Sequence, residues 1–185
     1  MVDGTRRVCP VEHAGGLDNW VRRWFQSPRR ILSPYIREGM TVLDFGCGPG
    51  FFTTDTAGMV GPTGRVIAAD LQEGMLQKLR IKLQRSALES RVTLHQCQEK
   101  DMRLSQPVDF VLAFYMVHEL PDQSAFFTGI LAVLHPRGRI LVVEPPFHVS
   151  KQGFEAMVQI AQSVGFAVAD RPRVFLSKAV LLRKG

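Results

Sequence analysis

Cysteine is scarce in this chain: Cys9, Cys47 and Cys97 are three in number, widely spaced, and form no C-x-x-C pair. That pattern indicates neither a disulfide framework nor a zinc ribbon and fits a reducing, cytoplasmic setting. Long apolar runs are missing too. No stretch approaches the roughly 20 residues of a membrane span, and the first residues, Asp3 among them, lack the apolar core of a leader, so a soluble protein is the expectation. Lys plus Arg outnumber Asp plus Glu by 23 to 17, with Arg6, Arg7, Arg22, Arg23, Arg29, Arg30 and Arg37 crowding the first part. A basic surface permits an anionic partner, but basic and aromatic residues do not alternate, so the excess reads as a solvated face and nucleic acid is not the expected partner. Cys9 and His13 are spaced C-x-x-x-H and His148 is a third candidate ligand; a structural zinc needs four, and with no fourth to name, no metal is expected.

Internal repeats and low-complexity tracts are also absent. With 185 residues and 45% hydrophobic content, the chain has enough apolar mass for one well-filled core, ahead of which sits an arm. Residues 1–16 carry no clear period. Leu17, Trp20, Val21, Trp24, Phe25, Ile31 and Leu32 recur at helical spacing, with Ser27-Pro28 as an N-cap and N1 pair that restarts the helix. Residues 1–36 are therefore expected to be an arm and helical cap that covers the sheet edge or closes over a ligand, and residues 37–185 the binding domain.

That domain alternates. Strands are expected at Thr41 to Phe45, Arg65 to Ala69, Val92 to Cys97, Val108 to Phe114 and Arg139 to Val143, with a closing pair at about Phe166 to Val174 and Ser177 to Arg183. Helices are expected at Phe51 to Val60, around Met75, Leu79 and Leu83, after Pro121-Asp122, and from the cap Ser150 to Ser163, with Gly165 as the last one's stop. Strand, helix, strand is the unit of a parallel sheet with helices on both faces.

The stretch Val42-Leu43-Asp44-Phe45-Gly46-Cys47-Gly48-Pro49-Gly50 carries the chemistry. A buried strand runs into a loop whose glycines permit turns and close approach, the usual seat of a nucleotide in front of a helix N-terminus. The dinucleotide fingerprint G-x-G-x-x-G is lacking, which disfavours a nicotinamide-dependent oxidoreductase. Asp44 instead stands just before the loop, where a carboxylate repels a pyrophosphate and suits a cationic ligand. Asp70 ends the second strand roughly 20 residues beyond Gly50, the place from which an acid accepts ribose hydroxyls.

This stretch resembles motif I of the class I S-adenosylmethionine-dependent methyltransferases, whose cofactor carries a sulfonium and an ammonium and no phosphate. The resemblance covers about Ser27 to the C-terminus. Ser27-Pro28-Arg29-Arg30-Ile31-Leu32, Ala69-Asp70, Val117-His118-Glu119-Leu120 and Leu134-His135-Pro136-Arg137-Gly138-Arg139 are similar to runs in the ubiquinone/menaquinone-biosynthesis and arsenite-methyltransferase group. It implies a doubly wound α/β fold with a mostly parallel seven-stranded sheet, the last strand antiparallel, and S-adenosylmethionine as cofactor. Asp44, Gly46, Gly48 and Gly50, with Phe45 and Cys47 among them, would line its methionine and ribose end. Asp70 would bind the ribose and Leu71 would lie beside the adenine. Gln98-Glu99 stand where the group has an acid and a small residue, and the glutamine carbonyl can accept from the adenine amino group. Phe114 would bring its backbone near the methionine portion, with Tyr115 and His118 following toward the reacting methyl.

Methyl transfer from a sulfonium loses positive charge and builds no oxyanion, so positioning carries most of the catalysis. A base is needed only for an acceptor that arrives protonated. His118 is the candidate, by its ordinary pKa near neutrality, against the alternative of a helix-starting histidine bonded to backbone. Tyr115 aligns an acceptor or simply packs. Glu144, ending the fifth strand, binds a cationic acceptor or is held by an arginine. The run Glu144-Pro145-Pro146-Phe147 is similar to the Asn/Asp-Pro-Pro-Tyr/Phe motif of amino-methyltransferases that act on bases or glutamine, but it has Glu and follows the fifth strand, not the fourth. The expectation is methyl transfer to a small molecule. The alternatives are a nucleic-acid or protein acceptor, or a non-catalytic binder of the cofactor.

Overall fold

In the computed structural model the described residues are 26–98 and 102–185. The expected helix over Leu17 to Phe25, Cys9, His13 and Glu99 lie outside them. Seven strands form one sheet in the order β3-β2-β1-β4-β5-β7-β6: β1 Thr41–Phe45, β2 Arg65–Asp70, β3 Val92–Gln96, β4 Val108–Phe114, β5 Leu134–Glu144, β6 Phe166–Asp170 and β7 Lys178–Lys184. Strands β1 to β5 pair in parallel, whereas β7 runs antiparallel to both β5 and β6. The fold class read from the sequence is the one observed.

Period-two alternation in β4 divides the core. Val111 and Ala113 point to a cluster built with Phe126, Phe127 and Ile130 of α4 (Gln123–Val133) and Phe154, Met157 and Val158 of α5 (Lys151–Ser163). Phe110, Leu112 and Phe114 point to the opposite face, against Leu32 of α1 (Pro28–Leu32) and Ala57 of α2 (Thr53–Met59). A third cluster sets Leu76, Leu79 and Leu83 of α3 (Glu73–Leu83) on Ala68 and Cys47. Because β4 is covered on both faces, its side chains are apolar in nearly every position, as central parallel strands require.

The caps follow the sequence. Ser27 caps α1 with Pro28 in its first turn, and the Asp122 and Ser150 side chains accept from the N–H groups of Ala125 and Gly153 at 2.8 and 3.0 Å. Gly165 ends α5 at φ +111, a backbone state that glycine adopts without strain.

Three boundaries differ from expectation by more than one residue. Helix α2 begins at Thr53 rather than Phe51, because Phe51 and Phe52 complete the turn that leaves Gly50. Strand β5 begins at Leu134, so Pro136-Arg137-Gly138 is an irregularity within the strand and not a loop after α4; the register with β4 shifts between Val108 and Phe110. An unpaired insertion tolerates a proline that a regular ladder would reject. Strand β6 ends at Asp170, whose side chain accepts from Arg171 N–H at 2.7 Å, and Pro172 has no N–H to continue the ladder.

Candidate active site

Strand β1 delivers the chain to the loop at Gly46, Gly48 and Gly50, which sit at φ +74, +53 and +84. Three left-handed positions in five residues explain the glycines, since a Cβ at each would be strained. Two are also tight: a Cβ on Gly46 would meet Met116 Cγ at 3.0 Å, and one on Gly50 would meet Leu79 Cδ1 at 2.4 Å. At Gly48 the situation is opposite, for a Cβ there meets no atom within 4 Å and the backbone faces open space.

Hydrogen bonds hold the loop to the neighbouring strand. The N–H groups of Gly46 and Cys47 both donate to the Ala69 carbonyl, at 2.8 and 3.1 Å. Asp70 takes Gly48 N–H on Oδ2 and Gln72 N–H on Oδ1, each at 2.9 Å. Its carboxyl is largely buried, and burial raises its pKa against these stabilising backbone bonds. Leu71, immediately after it, is 36% exposed, an apolar side chain left open beside the acid.

Asp44 is only 3% exposed, and Thr53 in the first turn of α2 donates its hydroxyl to Oδ2 at 2.6 Å. Burial pushes Asp44 up to about 6, with the Thr53 bond opposing and the nearby Asp70 charge assisting the rise. Thr53 is a site residue that sequence reasoning passed over; its place in the first helical turn behind a glycine loop was the available signal. Cys47 is buried against α3, and burial holds its thiol well above the usual range, as a packing residue requires. Phe45 packs its ring on Phe126.

The segment after β4 passes over this loop, with Met116 against Gly46. Tyr115 takes φ +60, and its ring packs against Phe114 at a 40° tilt, on the α1 and α2 face. Its hydroxyl lies 2.6 Å from Ser177 Oγ and accepts from Gln26 Nε2. His118 stands on a 3-10 turn, Val117–Glu119, and goes to the other side. Its Nδ1 lies 2.5 Å from Oε2 of Glu144, and its backbone N–H donates to Oε1 at 3.3 Å. The partner of Glu144 is thus a histidine and not the arginine considered from sequence. The Glu144 bond raises the His118 pKa more than burial lowers it, with Glu119 adding to the rise. Glu119 itself is raised by burial. The His148 ring lies 6.2 Å from that of His118, tilted by 19°. Gln98 is exposed just past β3.

These residues fit S-adenosylmethionine on their own chemistry: an open glycine backbone, an acid held behind it, and an exposed leucine next to that acid. No cluster of three or more His, Cys, Asp or Glu able to hold a metal occurs among the described residues.

Comparison with known proteins agrees. A family model described as a methyltransferase domain matches residues 36–168. Demethylmenaquinone methyltransferase of Lactococcus lactis is 33% identical over 123 residues, covering 63% of this chain and 48% of that protein. The ubiquinone/menaquinone biosynthesis C-methyltransferase UbiE of Saccharophagus degradans is 32% identical over 156 residues, covering 77% and 61%. The chain spans about half the length of the curated relatives it matches. Among solved structures, a SAM-dependent methyltransferase from Aquifex aeolicus superposes with a TM-score of 0.83 at 25% identity, covering 95% of this chain and 98% of its own. With sheet order, glycine loop and family model in agreement, the chain belongs to the class I S-adenosylmethionine-dependent methyltransferases, at a distance from the UbiE proteins.

Proposed function

We propose that the protein transfers a methyl group from S-adenosylmethionine to a small-molecule acceptor, with His118 as the base for an acceptor that arrives protonated. The observation that carries this reading is the contact of Met116 with Gly46, which sets the segment bearing His118 directly beside the cofactor loop. When bound, the cofactor supplies an electrophilic methyl on sulfur. Asp44 and the Gly46 to Gly50 backbone hold its amino-acid end, Asp70 accepts from its ribose, and Leu71 and Gln98 border the adenine, with Glu99 as a further candidate there. Phe114 contributes backbone near the methionine portion, and Tyr115 aligns the acceptor from the side of Ser177. Only residues 145–150 separate β5 from α5, so no acceptor-binding domain is inserted there. The small-molecule relatives, named as methyltransferases of quinone biosynthesis, favour the same acceptor class.

The reading is tested in two steps. Calorimetric titration with S-adenosylhomocysteine, with NADH as control, is expected to give one-to-one binding of the former alone. A screen of phenolic, enolic, thiol and amine acceptors with labelled cofactor then follows. Binding with no transfer to any acceptor would favour a non-catalytic cofactor-binding protein, and failure to bind would remove the assignment of the loop.

A further inference from the structure

Glu144 is 1% exposed at the end of β5, and a carboxyl so deeply buried needs a partner. Its partner is a single residue, held twice: Oε1 takes the His118 backbone N–H and Oε2 faces Nδ1 of the same ring. One contact fixes the position of the 3-10 turn and the other the rotation of the imidazole. The far nitrogen, Nε2, bonds nothing among the described residues, and the side chain is 24% exposed. The pairing depends on parallel neighbours, since Phe114 at the end of β4 lies in register with Val143 and so brings residue 118 over residue 144.

We infer that Glu144 is a positioning residue: it keeps the proton of neutral His118 on Nδ1 and presents Nε2 as the atom that takes the acceptor's proton. This deepens the reading of His118 as a base and rests on it. In the step, the acceptor's X–H bond breaks, its proton passes to Nε2, and the electron pair stays on X as the nucleophile. The imidazolium so formed is stabilised by the adjacent carboxylate, the logic by which a buried acid orients a catalytic histidine elsewhere. Other titratable groups lie around the pair. Glu119 is on the same turn, His148 stands across from it on the loop after β5, and Lys178, in register with Glu144, directs its ammonium to the Pro146 carbonyl at 3.4 Å.

The test of the positioning role needs neither acceptor nor cofactor; only the separate check of the base assignment uses methyl transfer. Long-range ¹H–¹⁵N correlation of the imidazole rings reports the tautomer and the titration of each nitrogen. With five histidines in the chain, the His118 signals are assigned by their loss in His118→Ala. The wild type is expected to hold the Nδ1–H form and to titrate above the ordinary histidine midpoint. Glu144→Gln should lower that midpoint by about 1 unit or more and shift the ring toward the Nε2–H form. Glu144→Asp, which keeps the charge, should retain the Nδ1–H form, and it serves as the fold-competent comparison if the glutamine variant is unstable. An unchanged tautomer and midpoint in Glu144→Gln, or loss of the Nδ1–H form in Glu144→Asp, would overturn the proposal. A disturbed tautomer in Glu144→Gln combined with an unaltered methyl-transfer rate in His118→Ala would instead overturn the base assignment.

Discussion

The backbone N–H of Gly48 donates to Oδ2 of Asp70 at 2.9 Å, tying the loop after β1 to the end of β2. The acid therefore shapes the loop, and in the proposed reading it also presents a carboxylate to a ribose. Asp70→Ala is expected to weaken S-adenosylhomocysteine binding by about 1.5–3 kcal/mol, the range of hydrogen bonds to a charged group. Asp70→Asn keeps one acceptor oxygen and should lose less. Calorimetry measures both, and equal affinity in all three proteins would remove Asp70 from the site.

Asp44 gives stability and binding opposite signs. Its folded pKa is raised from 3.8 to about 6, so the folded state binds the proton more tightly. The stabilisation is complete below the unfolded value and is lost as pH rises through about 6, a difference on the order of 3 kcal/mol. Asp44→Asn keeps an acceptor for the Thr53 hydroxyl and removes the buried charge. Urea unfolding should find the variant more stable than wild type at pH 8 and the advantage gone at pH 4, while cofactor affinity falls. A constant stability difference across pH would show that Asp44 does not titrate in this window.

Two loop glycines should respond differently to alanine. At Gly50 a Cβ is both strained and pressed against the buried Leu79, and a loss of about 2–4 kcal/mol is expected. At Gly48 only the left-handed backbone opposes it, about 1–2 kcal/mol, because the Cβ enters open space. That same Cβ would project into the space proposed for the cofactor, so Gly48→Ala should fold and bind S-adenosylhomocysteine poorly. Wild-type affinity in Gly48→Ala would place the ligand elsewhere.

The raised pKa of His118 has a stability consequence as well as a kinetic one. A histidine whose folded pKa exceeds its unfolded value stabilises fully below about 6.5 and loses that contribution as pH rises through the folded value. The unfolding midpoint of wild type relative to His118→Ala should therefore shrink between pH 5.5 and pH 9. Activity should move the other way, rising with pH as the ring deprotonates, and His118→Ala should flatten that dependence. A rate profile identical in the two proteins would assign His118 to structure alone.

Much of the fold was legible because it rests on short-range rules. Val108 to Phe114 reads as a central strand from composition alone, and Ser27-Pro28, Asp122, Ser150 and Gly165 mark helix ends through chemistry confined to one turn. The start of β5 was not legible. Pro136-Arg137-Gly138 reads locally as a turn, and only pairing with β4 across a shifted register keeps it within a strand.

The candidate site divides the same way. The sequence by itself determined the glycine loop, since glycines at 46, 48 and 50 encode the left-handed backbone angles that the turn requires. Tertiary structure alone decided where the two residues proposed for the acceptor side lie. Tyr115 and His118 are three residues apart and look like neighbours in the chain, yet a left-handed backbone at Tyr115 turns one ring toward Ser177 and leaves the other to Glu144. His118 and Glu144 are 26 positions apart. Their pairing exists because β4 and β5 are adjacent and in register, a contact set by sheet packing rather than by any local pattern of residues.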